Sequence, residues 1–331
     1  MQSGNLSGSR FGPRGSEDLG GGMKAIFTLE SGFNLGSGAS EQGGRLFGRR
    51  AFVGVDSRSG ALTLGRQYNL LFDNMLELDP MSAAQYSAVV HDQAFVGRAD
   101  KSIKYSGNFS GVKVGALYSF GRDTLDPSLA GEDPVDRSRG AELGLSIGYQ
   151  SGPMNFEVVY DEVKSISARE FGTFASAFQA VPNNLSQLYN LSGNEKARRI
   201  AAAGSYAFGN VKVFAGYRYL NTNAPTRVDG AGAEKFHSDL YWLGATWQAT
   251  PAMGLIAAAY HSNNKRNPSV TSYVLGVDYK MSKRTDLYTN LSYADNRAKS
   301  GIESAQSVDA GRTTPAGKDQ FGAQVGIRHW F

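Results

Sequence analysis

The chain has 331 residues, with 34 Lys and Arg against 30 Asp and Glu, for a formal charge of +4. It carries 41 Gly, 18 Phe and 16 Tyr but only 10 Pro and no Cys, so disulfides and thiolate metal sites are excluded. Its small charge, spread along the whole length, argues against a nucleic-acid partner.

Glycine and aromatics in this proportion suit many strands joined by tight turns, not disorder. No apolar run approaches the ~18 residues of a transmembrane helix. The longest, such as "GLIAAAY", are strand-sized. Met1 leads directly into "QSGNLSGS", without the features of a signal peptide.

In chain order, the first hairpin opens at "SRFGPRGSEDL", turns on "EDLGGG" (17–22) and returns as "MKAIFTLESGF". Six more tight turns follow: "SRSG" (57–60), "NFSG" (108–111), "QSGP" (150–153), "FGN" (208–210), "ATPAM" (249–253) and "MSKR" (281–284). Each holds the Gly, Pro, Asn or Ser that a reversal needs. Between hairpins lie longer polar stretches at 34–46, 67–94, 121–140, 164–196, 221–237, 262–268 and 295–319.

Alternation along the strands puts Ala25, Phe27, Leu29 and Phe33 on one face and Lys24, Thr28 and Glu30 on the other. Leu143, Leu145, Ile147 and Tyr149 likewise oppose Glu142, Gly144, Ser146 and Gly148. The chain ends in a strand, "DQFGAQVGIRHWF", whose apolar stripe runs to Phe331. Short turns at one end and long loops at the other predict an all-β transmembrane antiparallel barrel. The pattern forms one domain over 1–331, with 320–331 as its terminal closing strand.

Seven hairpins and a terminal strand make fifteen strands, whereas single-chain bacterial barrels use an even number. A sixteen-stranded barrel is therefore expected, with its first strand and a signal peptide upstream of Met1. Pro13 cannot donate to a ladder, so its nitrogen is expected to face the seam with 320–331 and not strand 23–33.

"SRFGPRGSEDLGGGMKAIFTLESGF", "FGRRAFVGV", "LTLGRQYN", "SKRTDLY" and "VGIRHWF", in this order, closely resemble the general porins of β-proteobacteria. The resemblance runs from Ser9 to Phe331. It implies a trimeric barrel in the cell outer membrane, with the third external loop folded inward as a constriction. It also implies that Phe331 belongs to the signal read by the outer-membrane assembly machinery. The partners are then small hydrophilic solutes, inorganic ions and outer-membrane lipid, with no cofactor or metal. The chain departs from the family in lacking the first strand, in Pro13 where an apolar residue is usual, and in the penultimate Trp330.

By parity Phe52 faces lipid, which turns Ala51 and Arg49 inward; Phe11 out puts Arg10 in. Phe95, Ile103 and Tyr105 share an outer face and leave Arg98 inside. Arg10, Arg49 and Arg98 match the basic cluster of the family's constriction. Arg66 of "LGRQYN" lies close by, and Glu30 relieves their repulsion. Guanidinium keeps its charge at every physiological pH.

The insertion 67–93 is too long and too apolar for a solvated loop. Leu71, Met75 and Leu78 are spaced for a short helix against the lumen wall, which leaves Asp73, Glu77 and Asp79 for the channel. Asp79 in "LDPMS" is the first choice for the pore-facing acid. A transverse field between acids and arginines would then pass polar solutes and favour anions.

Other motifs carry no chemistry. "GLSIG" (144–148) lies mid-strand where a nucleophile elbow needs strand–turn–helix, and the four His residues are isolated. "GGG" (20–22) has no following helix or P-loop Lys. The acidic stretch 123–136 reads as a solvated loop over a calcium site. No residues assemble as an enzyme site at the barrel rim. The alternative function is a receptor or adhesin barrel acting through its loops, which need not conduct.

Overall fold

The computed structural model describes residues 2–82, 84–121, 140–164, 196–222, 226–228, 231–234, 237–264, 269–296 and 318–331. Its wall starts with β1 (Arg10–Phe11) and β2 (Arg14–Gly20), both paired with β3 (Met23–Gly32). Then come β4 (Arg50–Ser57), β5 (Gly60–Tyr68), β6 (Arg98–Phe109), β7 (Val112–Gly121), β8 (Glu142–Ser151), β9 (Met154–Lys164), β10 (Lys196–Phe208) and β11 (Val211–Thr222). A separate ribbon of β12 (Thr226–Val228) and β13 (Ala231–Glu234) precedes β14 (His237–Gln248), β15 (Met253–Asn264), β16 (Val270–Lys280), β17 (Thr285–Asp295) and β18 (Gln320–His329).

Apart from that ribbon, each strand from β3 onward pairs antiparallel with the one before it, and with β1 also on β3 the sheet has sixteen segments. All seven tight turns expected from the sequence join consecutive strands. Among the described residues no ladder joins β18 to β1 or β2.

The line of β1 and β2 breaks at Gly12–Pro13 without changing register: Phe11 pairs with Ser31 and Arg14 with Thr28. The Pro13 carbonyl accepts from Leu29 N (2.9 Å), so Pro13 occupies a hydrogen-bonding position facing β3. This overturns the expected orientation. Proline has no N–H for the return bond, and the ladder is interrupted there instead of slipping. Gly12 is required beside it, because a Cβ would lie 1.9 Å from the Leu29 carbonyl oxygen.

The outer face is apolar and exposed: Val53, Leu62, Leu145, Ile147, Leu243 and Leu275 all project from it. The closing stripe behaves as its alternation predicts, with Phe321, Val325, Ile327 and Phe331 outside and Gln324 buried on the inner face. A water-soluble sheet would bury such a face. Here the solvent for it is lipid.

One parity differs from expectation. Thr28 pairs with Phe52 and Phe27 with Val53, so Phe52 and Arg50 share the inner face with Glu30 while Ala51 and Val53 point out. Directly paired antiparallel residues lie on one side of the sheet. The short stretch Ala51–Val55 alternates acceptably in either phase, and the register of β3 decides it.

The core lies inside the wall. From β5 the chain enters the lumen as α1 (Leu70–Met75), capped by the Asn69 side chain, which accepts from Phe72 N (2.9 Å). Three 3₁₀ turns, Leu76–Leu78, Ala88–Val90 and Gln93–Val96, carry it back to β6. Leu71, Met75 and Leu78, spaced for a helix, are essentially inaccessible. Each stabilises the fold by about 1.5–3 kcal/mol. Phe95 sits in the last of these turns, edge-on to Trp242 (5.9 Å between centroids), and not on the outer face of β6 as parity suggested.

Candidate functional site

The end of the loop before β4, together with β4, β5 and β6, brings an arginine cluster together around Tyr68, the last residue of β5. The guanidinium carbons of Arg49, Arg50 and Arg98 lie 5.8, 5.5 and 5.1 Å from the Tyr68 ring centroid. The Tyr68 hydroxyl accepts from Arg49 Nη2 (2.6 Å) and donates to Glu30 Oε1 (3.3 Å). Phe72 of α1 stacks on the same ring, with centroids 4.0 Å apart. The aromatic π-face attracts each cation and holds three like charges at close range.

Glu30 bridges two of them, at 2.8 Å from Arg49 Nε and 2.7 Å from Arg50 Nη2. Asp100 bridges another two, at 2.6 Å from Arg66 and 2.9 Å from Arg45. At the register irregularity between β5 and β6, the consecutive Arg66 and Gln67 are both buried. In the loop before β4, Glu41 lies in the field of Arg49 and Arg98; burial outweighs them and raises its carboxyl above the ordinary value. Among the described residues, five guanidinium groups here stand against three carboxylates.

Arg10 shares the inner face by its pairing with Gly32 but stands apart, exposed and without an ion pair among the described residues. Arg49, Arg66 and Arg98 are buried, so the parts of the cluster that meet open water are Arg45 and Arg50, whose side chains are 27% and 32% exposed.

Asp73 and Glu77 are exposed on α1 and the turn after it. Asp73 pairs with Lys104 of β6 (2.7 Å). Beside α1 opens a cavity of about 380 Å³ lined by Asp56, Asp73, Asn74, Lys113 and Ser146 among others.

Asp79 is placed differently from the expectation. It is buried, and its carboxylate accepts from Met81 N (2.9 Å), Ala88 N (2.9 Å) and the Tyr260 hydroxyl (2.5 Å). The bend at "LDPMS" exists, but its amides and a tyrosine from β15 occupy the acid. Burial raises the Asp79 carboxyl above its ordinary range despite these bonds.

The rest of the inserted segment is fastened to the far wall. Trp242 of β14 donates to the Leu78 carbonyl (2.9 Å), and Ser272 of β16 contacts His91 Nε2 (3.2 Å). Asp92 Oδ2 lies 2.9 Å from Arg199 Nε and 3.0 Å from Arg218 Nε, all three fully buried. Burial alone would raise the Asp92 carboxyl; the two arginines outweigh it and hold it below its usual range. Burial, reinforced by Arg218 and His261, pushes the His91 imidazole down to about 3, so it stays neutral.

Sequence reasoning misses Tyr68, Arg50, Arg199, Arg218 and Asp92. For Arg50 the doublet "RR" is a signal, with phase the only question. For Asp92 there is none, because its partner Arg199 lies 107 positions away.

Residues 1–299 match the model of the Gram-negative porin family. The chain belongs to that family. An outer membrane porin protein of Bordetella pertussis is 32% identical over all of this chain and 84% of its own length. Outer membrane porin protein 32 of Delftia acidovorans is 29% identical over 98% of this chain and 85% of its own. Among solved structures, the anion-selective porin from Comamonas acidovorans superposes with a TM-score of 0.75 at 26% identity, covering 99% of this chain and 90% of that one. This porin is thus a diffusion channel of the cell outer membrane.

Proposed function

We propose that residues 1–331 form a single porin domain that passes small hydrophilic solutes and ions with a preference for anions. In this reading the segment 67–93 is the constriction loop. Arg10, Arg49, Arg66 and Arg98, with Arg45 and Arg50 on the water side, set the positive wall. Glu30 limits their repulsion, and Asp73 and Glu77 form the acidic side. Asp79 fixes the loop's own shape.

The observation that carries the reading is the excess of guanidinium over carboxylate around Tyr68. At an effective dielectric of ~20, a unit charge ~6 Å from a passing ion contributes roughly 3 kcal/mol before screening. Salt with a Debye length of ~8 Å cuts this substantially. The anion selectivity of the Comamonas protein points the same way. Single-channel recording in a salt gradient tests it: the wild-type reversal potential should report chloride over potassium, and Arg49→Ser with Arg98→Ser should reduce that preference. An unchanged potential would place the waist elsewhere.

The same reading extends to assembly. Ala257 and Ala259 on the outer face of β15 are small enough to let neighbouring walls approach closely in a trimer. Mass measurement in mild detergent should find three copies. Phe331, exposed at the end of the outer stripe, is accessible for recognition by the assembly machinery; its deletion should lower outer-membrane yield without altering the purified channel.

A further inference from the structure

The cavity of about 380 Å³ beside α1 is bounded by that helix and by the short-turn ends of β4 to β8. A volume near the lower end of the range for small-molecule sites fits a small solute. Glycine helps to keep it open, because a Cβ at Gly115 would lie 2.4 Å from Ser146 Oγ and 3.1 Å from Leu70 Cδ2.

Charge around this cavity is balanced. Its lining carries Asp56 and Asp73 against Arg58 and Lys113. Behind these, Lys104 pairs with Asp73 and the buried Glu157 pairs with Lys113, adding one group of each sign. Lys24 stands opposite Asp56 in the ladder and Glu77 lies in the field of Glu157, which adds one more of each. The cluster around Tyr68, in contrast, has guanidinium in surplus.

Three polar groups of the lining are unused. Asp56 and Arg58 make no hydrogen bond or ion pair with any described residue. The Asn74 amide nitrogen is buried without an acceptor among the described residues. A buried donor in that condition is costly until an acceptor arrives.

We propose that this cavity binds a small zwitterion of the amino-acid or dipeptide class, its ammonium group on Asp56 and its carboxylate on Arg58 and the Asn74 amide. The guanidinium fork matches a carboxylate, and an ammonium offers donors to one. A net anion meets repulsion from the acids of the lining, and a net cation from Arg58 and Lys113. A solute carrying both charges satisfies each side. Binding of this kind raises the occupancy of a scarce solute, and release stays fast while the binding is weak. The proposal requires an open channel and does not depend on the anion preference.

The test records single-channel current from the full chain in planar bilayers with glycylglycine, and with the same dipeptide N-acetylated, C-amidated or both. Binding is read from the frequency and duration of brief current interruptions. Glycylglycine should interrupt the current at about three- to fivefold lower concentration than any blocked form, the gain of one partly hydrated ion pair. Asp56→Asn should remove its advantage over the N-acetylated form, and Arg58→Gln should reduce its advantage over the C-amidated form. Asn74→Ala should shorten the interruptions by every form that keeps the carboxylate. Open-channel conductance without peptide confirms folding of each variant. Equal interruption by the doubly blocked peptide, or an advantage of the zwitterion that survives both Asp56→Asn and Arg58→Gln, overturns the proposal. So does stronger interruption by the N-acetylated anion, which would assign binding to the arginine cluster. The reversal potential in the same recordings reports the anion preference separately, so either reading can fail without the other.

Discussion

Two regions of the lumen wall bury arginine, and they do so on opposite terms. On β10 and β11, Arg199 and Arg218 meet Asp92 and Asp161, so the charges are matched and no water reaches them. From the loop before β4 to β6, Arg45, Arg49, Arg50, Arg66 and Arg98 outnumber the acids beside them among the described residues, and the Tyr68 ring and partial exposure help to accommodate them. A buried arginine is therefore no sign of channel chemistry by itself. Matched arginine fastens the inserted segment; surplus arginine, in the function proposed above, leaves a field for passing ions.

The largest way to break this contrast is Asp92→Ala. Removing it takes a shared carboxylate from two desolvated guanidinium groups, which should cost about 3–5 kcal/mol. Thermal unfolding followed by circular dichroism in detergent would read the loss, and single-channel current should become noisy as the segment detaches. Glu30→Ala on the other side, where Arg50 can reach water, should cost clearly less. Equal losses would erase the distinction.

Acid should loosen the matched side. The His91 imidazole is held near 3, below its unfolded value, so its contribution is complete above about 6.5 and is lost as pH falls toward 3. One such group changes stability by up to about 1.4 kcal/mol per pH unit within that window. Asp92, also depressed, contributes above its unfolded value near ~3.9 and loses that contribution only below it. Asp79 acts oppositely: its raised carboxyl is easier to bury once protonated. His91→Gln should flatten the melting temperature between pH 7 and 4. A profile as steep as the wild type would assign the slope to other groups.

On the surplus side effects should be smaller in energy but visible in selectivity. Arg49→Ser with Arg98→Ser should lower anion preference several-fold, equivalent to ~1 kcal/mol after screening. Arg45→Ser with Arg50→Ser, on the wet edge, sharpens the comparison by removing charge with less disturbance to packing. Smallest of all, Asp73→Asn with Glu77→Gln should shift the reversal potential toward anions by roughly half that energy or less, since both acids are exposed to screening salt.

Much of this could be read in the sequence where local chemistry decides. The seven turns, the outward stripe ending at Phe331, and the buried row Leu71, Met75 and Leu78 follow from glycine, alternation and helical spacing. What could not be read depends on partners distant in sequence. Phe52 turns inward because β3 sets the register of β4. Asp79 is withdrawn from the channel by Tyr260, 181 positions later. Arg199 and Arg218 look like solvated side chains on wet faces until Asp92 arrives between them. Pro13 faces β3 because an interrupted ladder keeps its register, an outcome that composition does not favour over an edge position.

The segment between β5 and β6 also sets an order of events. Its attachments to Trp242, Tyr260 and Ser272 connect residues 164 to 181 positions apart, so none of them can form until β14 to β16 are in place. Contacts that distant are slow to make, because the chain loses the freedom of the whole intervening stretch before gaining any bond. The apolar row on α1 must therefore wait, uncovered, while most of the wall assembles around it. The interior of this porin can therefore be fastened only after most of its wall exists.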